Sequence, residues 1–423
     1  MHILFTAYEF VTEKRPCGGC GHYIANIASL LASKGNQVTV LVLSNHNSSF
    51  QWKENIEVIT FQYQYEPSIR SIFTDFIEKL CHVYISENIN KSFAYKKQII
   101  AINKKKKIDI IQHNGDHLEG WCRNRKIPTV IRLSSFYPWL NQANNKNSDM
   151  EDMSWLNSYE SKFFMYPFTK ADGVFAPSKR VAGFVNSCLP KRVSVIESPF
   201  MLDNRLCISH NIDILKNQKY LLFFGRICIL KGIYTIIDAL YQVLEENPEL
   251  YFCFVGHIEQ KGLYDRILNA AGEYRNRVVV LGEVKDRQEL QGIIANAEAC
   301  VLPSRADNLP NTCIEAMGMG KIVIGTYGAS YEQLIKHKKS GILIKIDSKN
   351  ALLKAIRYVM NMSTKEKERM SGLAKQRIEK MHPDIVYQQI IDFYNKTIHH
   401  KSRLKKKIVY FMKWVQIFLK DKE

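Results

Sequence analysis

The sequence has little that would mark a disulfide scaffold, a zinc protein or a membrane-spanning chain. Its ten cysteines are scattered through 423 residues, and only Cys17 and Cys20, in CGGC, show paired spacing. No disulfide framework is therefore expected, and a reducing cytosol is favoured. A zinc site would want a second such pair, and none exists. No uninterrupted apolar stretch reaches the ~20 residues that a bilayer-spanning helix needs. The amino terminus opens on HILFTAY and not on the basic, apolar, small-residue order of a secretory signal. Also missing is any Asp-x-Asp pair of the kind used to hold a divalent cation on a diphosphate.

What is present begins with size and charge. The chain is long enough for two domains, and with 46% apolar residues, 21 Phe and 21 Tyr it can build their cores. The formal net charge of +18 calls for acidic partners, whether nucleic acid, phosphorylated small molecules or anionic lipid. Lys401 to Glu423 holds eight Lys or Arg against Asp421 and Glu423, a net +6. Lys104 to Lys107 reads as a solvated helix end. Nucleic acid is the weakest candidate, since no base-reading or stacking module accompanies the charge.

Read by period, HILFTAY is a buried strand, residues 22–35 an amphipathic helix ended by Gly35, and QVTVLVL a second strand. Further apolar runs at 108–112, 128–133, 173–178 and 192–196 continue the βα alternation. A second series starts at YLLFFG (220–225) and continues at 250–256, 277–282, 299–304 and 321–326. Strands alternating with helices predict parallel sheets covered on both faces. The expected fold class is α/β, with two Rossmann-like βα domains facing a central cleft. Residues 1–202 form the first, 203–382 the second, with a linker near 202–218, a closing helix over 383–400 and a basic tail over 401–423. Ligands in such sheets bind beyond the carboxyl ends of the strands.

Two strand-end loops carry candidate chemistry. GRICILKG (225–232) places Arg226 and Lys231 between a strand and a helix, where a phosphate would meet cations and free backbone N–H groups; ordinary surface charges beside a turn would read the same. SRADNLPNTCIEAM (304–317) sets Asp307 on a strand-end loop and Glu315 in the following helix. A carboxylate there can accept from two neighbouring hydroxyls, as a ribose diol presents. A helix-dipole and turn role is the alternative. In PCGGCGHY, Gly18, Gly19 and Gly21 let backbone approach a ligand closely. This is not the dinucleotide fingerprint, because the third glycine position is Ile24. Cys17 and Cys20 read as small residues of a tight loop.

These motifs, in order, with PSRADNLPNTCIEAMGMGKIVIGT and GASYEQLIKHKKSGILI, resemble the family-four glycosyltransferases, retaining enzymes of the GT-B fold. The resemblance is strong over residues 219–347 and looser over the first 200. It implies that Arg226 and Lys231 hold the donor diphosphate, Glu315 the ribose hydroxyls, and Asp307 stands near the donor sugar. Gly18, Gly19, Gly21, Gly225, Asn308, Leu309, Pro310, Asn311 and Thr312 are the further donor-binding positions it implies. The reaction the resemblance implies is transfer from a nucleotide-diphosphate sugar to a hydroxyl of a glycan or lipid-linked acceptor, with no cofactor and no metal expected, as in polysaccharide, lipopolysaccharide or capsule biosynthesis. Three departures stand out. Asp307 replaces the usual Glu, shortening the reach by about 1.5 Å. Ser134 and Ser135 stand where many relatives have a histidine, and FVGHIEQKG lacks a second glycine. His113 and His117 end the preceding strand, where structural or solvated roles compete with a place facing the cleft.

In the tail, Leu404, Ile408, Phe411, Met412, Val415, Phe418 and Leu419 share one side of a helical wheel, with Lys405, Lys406, Lys413 and Lys420 outside it. That pattern fits a helix lying in an anionic membrane interface at the cytoplasmic face, or one docked on the first domain. Because fold does not determine reaction, a sugar-nucleotide epimerase, a phosphorylase and a non-catalytic nucleotide-binding scaffold are the rival readings.

Overall fold

The computed structural model describes residues 1–14, 17–64, 86–114, 119–190, 192–200 and 212–399. His117, most of the expected linker and the tail 401–423 lie outside the described residues. The chain divides into two compact units: Met1–Pro138 with Asp152–Pro199 and the carboxyl-terminal segment from Pro383, and Trp139–Glu151 with Phe200–His382.

The first unit contains β1 (His2–Ala7), α1 (Gly19–Ser33), β2 (Gln37–Ser44), β3 (Ser48–Lys53), β4 (Ile56–Gln62), α2 (Ser86–Lys105), β5 (Ile110–Asn114) and β6 (Thr129–Arg132). The helix α3 (Tyr137–Asn144) begins in this unit and ends in the segment assigned to the second. Then follow α4 (Tyr159–Lys170), β7 (Gly173–Ala176), α5 (Lys179–Cys188) and β8 (Ser194–Val195). The sheet order is β3-β4-β2-β1-β5-β6-β7-β8. All pairs are parallel except β3 with β4. That antiparallel ribbon is an addition to the βα pattern read from the sequence. Its turn carries Asn55 at φ 60, a left-handed conformation that asparagine tolerates well.

Central strands are buried along their length, β1 completely, because both sheet faces are covered. On one side, Ile24, Ile27, Ala28 and Leu31 of α1, at helical spacing, pack with Ile3, Phe5 and Val40. The closing helix, α12 (Pro383–His399), adds Val386, Ile390 and Tyr394 to the same core. It is tied down by Tyr394 Oη donating to Gln112 Oε1 (2.5 Å) and by a Lys34–Asp384 ion pair (2.7 Å).

In the second unit the strands are β9 (Lys219–Phe224), β10 (Leu250–Val255), β11 (Val278–Leu281), β12 (Ala299–Val301), β13 (Val323–Thr326) and β14 (Ile342–Ile344). The helices are α6 (Ile233–Glu246), α7 (Leu263–Ala270), α8 (Arg287–Asn296), α9 (Asn311–Gly318), α10 (Lys349–Met360) and α11 (Thr364–Glu379). The order β11-β10-β9-β12-β13-β14 is wholly parallel and is the 3-2-1-4-5-6 winding of a Rossmann sheet. Ile233, Ile236, Ile237, Leu240 and Leu244 bury one stripe of α6 against it, each worth roughly 1.5–3 kcal/mol of burial. α10 joins α6 on that face, while α8, α9 and α11 cover the other. Strand order reverses between β9 and β12, so the crevice expected of this winding lies at their carboxyl ends.

Candidate functional site

At that reversal the loops after β9, β10 and β12 are stitched together through backbone. Ile227 N–H donates to His257 O (2.8 Å), Glu259 N–H to Ile227 O (3.2 Å), and Arg305 N–H to Leu230 O (2.9 Å). Two glycines make this closeness sterically feasible. A Cβ at Gly232, where φ is +73°, would lie 1.8 Å from Pro303 O, and one at Gly256, φ +141°, 1.9 Å from Gly225 O. Both positions are closed to any other residue.

This framework brings the predicted cations to carboxylates. Lys231 Nζ pairs with Asp307 Oδ2, both side chains largely buried. Arg226 Nη1 pairs with Glu259 Oε1 at 2.6 Å on the surface. Although its side chain is more than half exposed, the Arg226 guanidinium loses some solvent in the loop, which works against its charge; Glu259 beside it foremost, with Cys228 and Asp307, outweighs this and raises its pKa. The Cys313 thiol and Tyr331 phenol are pushed well above their usual ranges, first by burial and then, among other charges, by that of Asp307.

Gly225 lies against the start of α9, where a Cβ would meet Thr312 Cγ2 at 3.4 Å. Asn308, Leu309 and Pro310 are buried ahead of that helix, Asn311 is exposed, and Thr312 and Glu315 are half-buried. Neither Gly232 before α6 nor Pro310 before α9 supplies a side-chain cap. First-turn N–H groups at both helices thus lack an N-cap side-chain acceptor, which suits an anion.

Arg305 was not singled out in the sequence, and it is the most buried cation of the motif. It donates to Asp347 Oδ2 (2.8 Å), Ala143 O (2.7 Å), Asn145 O (2.6 Å) and Ser148 O (2.9 Å). Its task is to hold the segment Trp139–Glu151 within the second unit.

In the first unit, the glycine loop opens α1. Gly21 N–H donates to Glu9 Oε1 (3.0 Å), and a Cβ at Gly18 would sit 3.1 Å from the same oxygen. Gly18 and Gly21 thus receive a carboxylate of the chain itself at the helix start. Cys17 Sγ lies where a Cβ at Gly21 would clash, in keeping with a tight loop. His113 is buried, its Nδ1 2.9 Å from Thr6 Oγ1, and burial foremost, with Arg123, lowers its pKa to about 3. Ser134 Oγ accepts a hydrogen bond from Arg132 Nη1 (2.6 Å).

Two family profiles match the chain: "Glycosyltransferase Family 4" over residues 17–203 and "Glycosyl transferases group 1" over 208–377. An uncharacterised glycosyltransferase of Methanocaldococcus jannaschii is 22% identical over 359 residues, 81% of this chain and 85% of that protein. Phosphatidyl-myo-inositol mannosyltransferase of Mycobacterium tuberculosis is 24% identical over 133 residues, 31% of this chain and 34% of that protein. Other curated relatives are matched over about half of their length or less. Among solved structures, HepE of Anabaena in complex with UDP superposes with a TM-score of 0.65 at 18% identity, covering 94% of this chain and 100% of that one. Two parallel Rossmann-like sheets and these matches define a glycosyltransferase of the GT-B class. Within that class the chain belongs to the family-four type.

Proposed function

We propose that the chain moves a sugar from a nucleotide-diphosphate sugar to an acceptor hydroxyl, with retention at the anomeric carbon and without a bound metal. The observation that carries this reading is the convergence of Arg226, Lys231 and Asp307 on adjoining loops at the reversal of the second sheet. As the anomeric carbon–oxygen bond breaks, the leaving phosphate oxygen takes the electron pair. Lys231 and Arg226 exchange their carboxylate partners for phosphate oxygens and stabilise that growing charge more in the transition state than before it. Asp307, released from Lys231, positions the donor sugar, while Glu315 accepts from the ribose hydroxyls. The acceptor oxygen forms the new bond from the face that the phosphate leaves, and its proton passes to the departing phosphate oxygen. The two fixed cations take the place of a metal, in keeping with a sequence that lacks an Asp-x-Asp pair.

The acceptor we propose is a glycan or lipid-linked one, reached from the cytoplasmic membrane face through the amphipathic pattern of residues 401–423. Among the described residues no helix is long and apolar enough to cross a membrane. Support for a lipid acceptor comes from that pattern and from a relative named for a phosphatidylinositol substrate. UDP is the first nucleotide to test, since HepE was solved with it.

A screen of nucleotide sugars by thermal stabilisation is the primary experiment, a ligand at a hundred times its Kd adding about 2.7 kcal/mol. Acceptor-dependent turnover that persists in EDTA is expected. Donor turnover without any acceptor would indicate an epimerase, and a requirement for free phosphate a phosphorylase. Binding without turnover would leave a scaffold. Loss of activity in EDTA, restored by magnesium or manganese, would overturn metal independence. Deleting residues 401–423 is expected to abolish association with anionic vesicles while nucleotide binding persists.

A further inference from the structure

The first sheet has its own reversal of strand order, between β1 and β5, and beside it lies a cation that the reaction above does not use. Arg132 closes β6 at its carboxyl end and is only 5% exposed. Its guanidinium lies 3.6 Å over the Tyr23 ring, and its Nη atoms donate to Ser134 Oγ (2.6 Å) and Ser198 Oγ (3.0 Å). Among the described residues no carboxylate forms an ion pair with it, although Arg123, Lys231 and Arg305 each have one.

The surroundings repeat this imbalance. Among the described residues Arg132 Nε, Gln112 Nε2, His113 Nε2 and Asn114 Oδ1 make no hydrogen bond of good geometry. The buried Tyr23 hydroxyl interacts with the Arg132 guanidinium and Gln112, and both work against the rise that burial gives its pKa. Most of these groups can donate. A buried charge and buried donors left unsatisfied are costly, and native structures keep few of them unless a ligand or ordered water completes them. A neutral hydroxyl would satisfy donors but leave the charge uncompensated, whereas a carboxylate or phosphate oxygen answers both needs.

We propose that Arg132, oriented by Ser134 and Ser198 and stacked on Tyr23, is a subsite for an anionic group, carboxylate or phosphate, carried on one of the two sugar substrates. The inference rests on the glycosyltransferase reading and adds the charge of the substrate to it. Arg132 is then a specificity-determining residue of the first unit. Serine at position 134 fits the same arrangement, since its hydroxyl accepts from the guanidinium without adding a charge.

The test uses the full chain and compares pairs of ligands that differ only in the anionic group. UDP-glucuronate against UDP-glucose reads a donor anion. Glucuronate and glucose 6-phosphate against glucose, each with saturating UDP, read an acceptor anion. The wild-type chain is expected to favour the anionic member of one pair by about 10- to 100-fold, the range of a hydrogen bond to a charged group. Arg132→Met is expected to lose that preference while UDP binding persists. Its melting temperature should hold or rise, because an apolar side chain of similar size removes a buried charge. Should that variant fail to fold, Ser198→Ala removes one orienting hydroxyl and is expected to cut the preference severalfold. Equal binding of anionic and neutral partners by the wild-type chain would overturn the inference, as would an anion preference that both variants retain. Failure of UDP and every other nucleotide to bind would overturn the glycosyltransferase reading instead.

Discussion

The strand ends of the two units handle positive charge in opposite ways. In the second unit Lys231, Arg226 and Arg305 each meet a carboxylate supplied by a neighbouring loop: Asp307, Glu259 and Asp347. In the first, Arg132 is met by two hydroxyls and an aromatic ring. A pair within hydrogen-bonding reach keeps a cation in place at modest cost and can be exchanged when a stronger anion arrives. A buried cation without such a pair is held by packing, and its position is preset for whatever completes it. On the function and the subsite proposed above, one architecture would offer an exchangeable anion site and a fixed one.

The largest expected effect breaks the exchangeable site. Lys231→Ala and Arg226→Ala should each lower kcat/KM by ~10² or more, the loss that follows removal of one preorganised donor. Their stabilities should separate the two. Arg226 and Glu259 are surface groups, so Arg226→Ala should change stability by less than about 1 kcal/mol. Lys231→Ala leaves Asp307 largely buried without its cation and should cost about 1–3 kcal/mol. Near-normal turnover in both variants would remove the phosphate assignment. Asp307→Asn belongs to the same test, with reduced turnover and nearly unchanged nucleotide binding through Glu315.

The second effect concerns the fixed site and is a stability change with pH. His113 titrates near 6.5 when unfolded and at about 3 when folded, because burial disfavours its charged form. Below pH 6.5 the unfolded chain binds a proton that the folded chain does not. Stability is therefore full above that pH and falls as pH drops toward 3. From pH 7 to pH 5 the loss is about 2 kcal/mol, at 1.36 kcal/mol per unit. Denaturant midpoints at the two values would read it, and His113→Asn should flatten the difference. An unchanged slope in that variant would mean that His113 takes up its proton at the same pH in the folded and the unfolded chain.

How much of this was legible in the sequence depends on the distance between partners. GRICILKG and SRADNLPNTCIEAM could be placed on strand-end loops because apolar runs and helix starts flank them closely, and the structure joins Lys231 with Asp307. Arg305 sits in the same motif, yet its carbonyl partners lie 157 to 162 residues away, at spacings no local pattern reveals. The assignment of Trp139–Glu151 to the second unit was hidden for that reason. Arg132 did leave a local trace, a charge inside the apolar run TVIRL. Its meaning needed Tyr23 and Ser198, which only the sheet brings near. The β3–β4 ribbon escaped because its turn carries no Gly and β3 is mostly exposed.

The smallest expected effect sharpens the comparison by turning the Arg226 pair toward the behaviour of Arg132. Glu259 N–H donates to Ile227 O, and its carboxylate pairs with Arg226 in the absence of a donor. A donor diphosphate must then compete with Glu259 for the guanidinium. Glu259→Gln keeps the shape and a hydrogen-bond acceptor but removes the competing charge. Since the pair is exposed, melting should change by less than about 1 kcal/mol. Nucleotide diphosphate should bind a fewfold more tightly, and turnover should fall slightly if product release becomes slower, because the released diphosphate leaves the same cation. Titration calorimetry with UDP, followed by single-turnover and steady-state rates, separates these effects. Tighter binding with an unchanged single-turnover rate is the expected result. Weaker binding would show that Glu259 holds Arg226 in its working position and does not compete for it.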